Sequence, residues 1–172
     1  KKDISASNEL EGAKLTLFDK DNNVVETWTS THEPHIMKGL KINEEYRLHE
    51  DLAPLGYVKA NDITFTVQDT EDMQKVEMID DIIKVEVSKQ DSVSGKELAG
   101  AKLQILDKDG NIIHEWISED KPHLFEKIPA GEYTLKEIIA PDGYEIAEDI
   151  SFVVNETSEI QKVVMKDEPT KM

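Results

Sequence analysis

The chain has 172 residues, no cysteine, 33% charged and 38% hydrophobic residues, and a formal net charge of −17. That length suits one large domain or two small ones, and the acidity disfavours binding to a nucleic-acid backbone or an anionic membrane. The lack of cysteine excludes disulfides, CxxC redox motifs and thiolate zinc sites, no apolar run approaches a transmembrane helix, and no signal-peptide pattern opens the chain.

Taken in chain order, the sequence states itself twice. "ELEGAKLTLFDKDNN" (Glu9 to Asn23) returns as "ELAGAKLQILDKDGN" (Glu97 to Asn111), and "EEYRLHEDLAPLGY" (Glu44 to Tyr57) as "GEYTLKEIIAPDGY" (Gly131 to Tyr144). "DITFTV" (Asp62 to Val67) returns as "DISFVV" (Asp149 to Val154), and "QKVEMIDD" (Gln74 to Asp81) as "QKVVMKDE" (Gln161 to Glu168). The offset is 88 between Leu10 and Leu98 and 87 between Glu50 and Glu137, so one residue is lost near the turn that "KINEEY" and "PAGEY" occupy. Loops tolerate such slips between related copies. The boundaries expected are therefore 1–81 for a first domain, lacking the opening strand that precedes Lys89 in the other copy, and 82–172 for a second, with 169–172 reading as the start of a further repeat.

Within the second copy, short apolar–polar alternations bounded by turn signals predict strands near 83–90, 101–107, 111–117, 122–127, 132–139, 149–154 and 160–167. "DKDNN" and "DKDGN" suit tight hairpins, because Asp, Asn and Gly tolerate the left-handed conformation. No segment holds helical periodicity over three turns. The fold expected is all-β: two tandem antiparallel sandwiches of about seven strands each.

The faces of three strands carry the chemistry. Side chains two apart share a face, so in "KVEVSKQD" the face of Val85 and Val87 ends on Lys89. In the same way Tyr133 and Leu135 lead to Glu137, and Val163 and Met165 lead to Asp167. The first copy repeats the pattern with Glu50 and Asp80, and its lysine falls on Lys1. Three readings are open. Each charge marks where its strand leaves the core; or the three form a buried ion triad, which costs several kcal/mol per charge unless well paired; or they react. In a low-dielectric site neutral amines and acids are favoured, and a neutral amine held against a carboxyl carbon is a nucleophile with a large effective molarity. Lys89 would then condense with Asp167 to an amide while Glu137 moves protons and hydrogen-bonds the developing oxyanion.

The string "VSKQD…GKELAGAKLQILDKDG…GEYTLKEIIAPDGY…ISFVVNE…VVMKDEP" resembles the Cna protein B-type, or SpaA-like, domains of Gram-positive surface adhesins and pilins, over essentially the whole chain and twice. The resemblance implies transthyretin-like, inverse-immunoglobulin β-sandwiches in which a lysine and an aspartate or asparagine form a spontaneous isopeptide bond assisted by a glutamate. By position, the cross-linking pair falls on Lys89 and Asp167 with Glu137 assisting, and in the first copy on Lys1 and Asp80 with Glu50 assisting. The first copy departs from the pattern in lacking the strand ahead of Lys1. It implies further a structural stalk segment on the bacterial cell wall or pilus, with no cofactor and no external substrate to turn over. Its partners would be neighbouring repeats of the same surface protein, other pilin subunits or a host extracellular-matrix protein. The alternative function is an adhesin module that grips a host matrix protein or glycan directly.

Other motifs read as structural. "DKDGN" opens like an EF-hand loop, but the position needing a bidentate glutamate is Ser118 and no helices flank it. His35 and His123, in the repeated "EPH/KPH", read as rim or turn residues rather than metal ligands, and no metal site is expected. Trp28 and Trp116 occupy equivalent positions and read as core or half-buried packing.

Overall fold

The computed structural model describes the backbone of Lys2 and Asp3 and residues 9–171 in full. The chain divides into two compact units, Lys1–Ile82 and Ile83–Met172. The N-terminal unit contains β1 (Lys2–Asp3), β2 (Lys14–Asp19), β3 (Val24–Thr29), β4 (Glu45–Leu52), β5 (Tyr57–Val58), β6 (Ile63–Thr66) and β7 (Ile79–Ile82). The C-terminal unit contains β8 (Lys84–Asp91), β9 (Lys102–Asp107), β10 (Ile112–Ile117), β11 (His123–Glu126), β12 (Gly131–Ile139), β13 (Ile150–Val154) and β14 (Ile160–Asp167). The described residues contain no helix.

Each unit pairs a four-stranded sheet with a three-stranded one. The strand orders are β3-β2-β4-β6 with β1-β7-β5 in the first unit, and β10-β9-β12-β13 with β11-β8-β14 in the second. The apolar face of each alternating strand turns inward. In the C-terminal unit Val85, Val87, Leu103, Ile105, Leu135 and Met165 are buried, and in the N-terminal unit Ala13, Leu15, Leu17, Tyr46, Leu48 and Met78 form the equivalent core.

The hairpin turns form for the reason their composition suggests. Asp19 Oδ1 accepts the N–H groups of Asp21 and Asn23, and Asp107 Oδ1 accepts those of Asp109 and Asn111, all at 2.9 Å. The left-handed positions fall on Asn22 (φ 64°) and Gly110 (φ 82°), residue types that adopt this conformation at little cost.

Pairing departs from the antiparallel expectation at one place in each unit. β14 runs parallel to β8, with Val163 opposite Val87 and Met165 opposite Lys89, and β1 runs parallel to β7, with Asp3 opposite Asp80. A parallel pair needs a long connection, and here almost the whole unit lies between the two strands. The register is the same in both copies, since Asp91 stands opposite Asp167 as Asp3 stands opposite Asp80. A second difference lies at 35–38, the counterpart of β11, which forms no strand. β11 pairs with Lys84 to Val87 of β8.

Truncating Leu135, fully buried between the sheets, is expected to destabilise the C-terminal unit by about 2–5 kcal/mol as Leu135→Ala. Lys136→Ala, on the solvent face of the same strand, should change stability by no more than about 0.5 kcal/mol. Chemical denaturation measures both, and a large loss for Lys136→Ala would contradict the assigned faces.

Candidate functional site

The site of the C-terminal unit is assembled by three strands. Asp167 lies two residues beyond Met165, the residue opposite Lys89, so Lys89 and Asp167 are diagonal neighbours on one face of adjacent strands, within reach of a long side chain. Glu137 arrives from β12 in the other sheet. A bulge follows it immediately, where the β12–β9 register shifts between Glu137 and Ile139. The first unit has the same bulge after Glu50, between its Leu15–Glu50 and Lys14–Leu52 pairs. In both copies the in-phase glutamate is the last residue paired before the bulge.

All three side chains are enclosed, with residue exposures of 2% for Lys89, 3% for Glu137 and 0% for Asp167. Lys89 Nζ donates a hydrogen bond to Asp167 Oδ1 and lies 3.1 Å from Glu137 Oε2. The second approach is close enough for an ion pair but is not aligned as a hydrogen bond, so Glu137 Oε2 and Asp167 Oδ2 are buried oxygens with no hydrogen bond from the described residues. Glu137 Oε1 accepts the Ala147 N–H at 2.8 Å, and the Asp167 carbonyl accepts the Ser92 N–H at 2.9 Å. Burial pushes the Glu137 carboxyl above the ordinary glutamate range. The Ala147 N–H and Lys89 pull it back down, while the neighbouring Asp167 carboxyl adds to the rise. The net direction is upward, toward an acid that keeps its proton.

The N-terminal unit repeats the carboxyl half of this arrangement. Glu50 and Asp80 are 1% and 0% exposed, and Glu50 Oε1 accepts the Ala60 N–H at 2.8 Å, as Glu137 does from Ala147. Lys1 lies outside the described residues.

Several other side chains do not join the site. Trp28 stacks on His35 with ring centroids 4.2 Å apart, and Trp116 on His123 at 5.5 Å. The repeated histidine is therefore an aromatic packing partner, and His123 opens β11 rather than sitting in a turn. Tyr144 of "APDGY" donates its hydroxyl to Asp91 Oδ2 at 2.7 Å, tying that turn to β8. Sequence reasoning passed over Glu97, whose carboxylate accepts the N–H of Lys89 itself. The signal that could have found it is the glutamate that opens both "ELEGA" and "ELAGA".

The raised Glu137 acid has a pH consequence. Its proton is held to higher pH in the folded unit than in the unfolded chain, so stability falls as pH rises from the ordinary glutamate range toward the raised value, and the loss is complete above it. In Lys89→Met, which has no amine to react, the added change Glu137→Gln should therefore raise the melting temperature by an increment that grows as pH rises above the ordinary glutamate range. Calorimetry of the single and double variants reads the increment, and one independent of pH would contradict the assignment.

The family model for the SpaA domain, described as a prealbumin-like fold domain, matches residues 1–82 and again 83–169. No curated protein matches the chain. Among solved structures, the Bacillus anthracis TIE protein is 27% identical with a TM-score of 0.55, over 98% of this chain and 32% of that one. The chain thus spans about a third of that protein's length. The shaft pilin SpaA of Lactobacillus rhamnosus GG is 15% identical (TM-score 0.45, covering 98% of this chain and 91% of that one). A minor pilin of Streptococcus agalactiae is 14% identical (TM-score 0.46, 96% and 86%). Two prealbumin-like sandwiches in tandem, matched end to end by one family model, make this chain a member of the SpaA domain family in two copies.

Proposed function

We propose that each unit staples itself with an intramolecular Lys–Asp amide, and that the pair of units is a force-bearing structural segment of a Gram-positive surface protein or pilus. The observation that carries the reading is the buried Lys89 amine, in contact with Asp167 Oδ1 and 3.1 Å from Glu137 Oε2. The unprotonated Nζ attacks Asp167 Cγ. The new C–N bond forms as one C–O bond of the carboxyl breaks, and the departing oxygen leaves as water. Glu137 hydrogen-bonds the tetrahedral oxyanion, takes a proton from the attacking nitrogen and passes one to the leaving oxygen, so it ends as it began. In the N-terminal unit the repeat assigns the same roles to Lys1, Glu50 and Asp80.

Placement gives the bond its use. Lys89 and Asp167 are 78 residues apart and lie on the first and last strands of their unit, so tension entering at one end leaves at the other through a covalent tie that spares the sheet hydrogen bonds. On chain-entropy grounds, closing a loop of that size also adds roughly 4–5 kcal/mol against unfolding. Each site reacts once, so the chain is a structural protein and not an enzyme. Its partners in this reading are adjoining repeats and other pilin subunits, outside the cell.

Intact mass tests the reading. Each bonded unit is expected to bring the wild-type mass one water below its composition. Glu137→Ala should restore the water of the C-terminal unit, leave its fold intact by circular dichroism, and lower its melting temperature by roughly 20 °C or more. A wild-type chain at full composition mass would overturn the reading, and a Glu137→Ala variant that still lost its water would overturn the role of Glu137.

A further inference from the structure

We propose that Glu97 is a positioning residue for Lys89, holding the backbone from which the reacting side chain springs. The inference rests on the amide reading above and adds a residue to it.

β8 changes neighbours partway along. From Lys84 to Val87 it pairs with β11, which goes no further than His123, opposite Val87. Beyond that point the chain has folded back on itself, and residues 96–98 take over the vacated side. Leu98 N–H donates to the Lys89 carbonyl at 2.7 Å, Asp91 N–H donates to the Lys96 carbonyl at 2.8 Å, and Gln90 and Glu97 form an antiparallel bridge. The side chain of Glu97 closes the step between the two neighbours. Its Oε2 accepts the Lys89 N–H at 3.2 Å, and its Oε1 accepts the Ser88 hydroxyl. The Ser88 oxygen in turn accepts Gln90 Nε2 at 2.8 Å. Ser88 and Lys89 are thus hooked to one carboxylate, Gln90 is tied to it through the Ser88 hydroxyl, and Ser88 is itself buried.

A lysine side chain has four rotatable bonds and is aimed only as well as its root. The root here sits where one sheet neighbour ends and another begins, a point at which a strand would otherwise fray. A buried N–H left without an acceptor would also favour local departure from the strand. Glu97 removes both problems, and it bonds the Lys89 backbone N–H while Nζ meets Asp167 and Glu137, so its effect is on where the amine is and not on its proton transfers. Glu9 occupies the same place in the first copy, 88 positions earlier.

The experiment follows bond formation in time. The full chain is made by cell-free translation, samples are quenched in acid, and intact mass gives the bonded fraction among molecules already resistant to protease. Glu97→Ala should bond its C-terminal unit at least about tenfold more slowly than wild type, since a displacement of about 1 Å can cost a hundredfold in an intramolecular reaction. Glu97→Gln keeps one oxygen to accept from Lys89 and should fall between the two. Because the rate is read only on folded chains, a role confined to stability would not move it. Bonding of Glu97→Ala within twofold of wild type would overturn the role of Glu97 and leave the amide reading standing. If Glu97→Ala does not become protease-resistant, Glu97→Gln decides, and a wild-type rate for it overturns the proposal. A wild-type chain whose C-terminal unit never loses water overturns the amide reading, and the role of Glu97 with it.

Discussion

The structure of the C-terminal unit turns on one constraint: a lysine and two carboxyls are enclosed in the middle of an apolar sandwich. Charges removed from water cost several kcal/mol each, and mutual attraction recovers that only with good geometry. In the C-terminal unit the geometry is partial. Lys89 hydrogen-bonds Asp167, but two carboxyl oxygens of the group go without a hydrogen bond from the described residues. As a permanent ion triad this is a poor arrangement. As the starting point of a condensation it is a sound one, because the proposed amide turns the amine and one carboxyl into a neutral peptide-like group and leaves a single acid whose environment already favours its protonated form.

The rest of the fold serves that meeting. Parallel pairing of the first and last strands brings Lys89 and Asp167 to diagonal positions, which a hairpin could not do for residues 78 apart. Glu137 enters from the opposite sheet in phase with the buried Tyr133 and Leu135, and the Ala147 N–H fixes that carboxyl's far oxygen. Proteins without cysteine have no disulfide with which to close such a loop. The proposed amide between the terminal strands would do the same work and could not be reduced.

Much of this was legible in the sequence because it follows from a period of two. The alternation of Val85, Val87 and Lys89, and of its two counterparts, is enough to put the three ionisable groups on inward faces, and the observed strands begin and end within about two residues of those expected. What could not be read is what depends on pairing between distant segments. The parallel register of β14 on β8 leaves no local signature. The segment at 35–38, counterpart of β11, forms no strand, and a strand exists only beside a partner, which local pattern does not report. Glu97 drew no notice because its carboxylate meets a backbone N–H eight positions away, a contact with no local signature. The stacking of the rim histidines His35 and His123 on Trp28 and Trp116 depends on contacts between segments that composition does not report.

The most direct test of the central claim is peptide mapping of the digested wild-type chain by tandem mass spectrometry. The account expects the peptide bearing Lys89 to be joined to the peptide bearing Asp167, at the sum of their masses less one water, with fragments that place the link on those two side chains. Recovery of both peptides separately, each at its full linear mass, would contradict it.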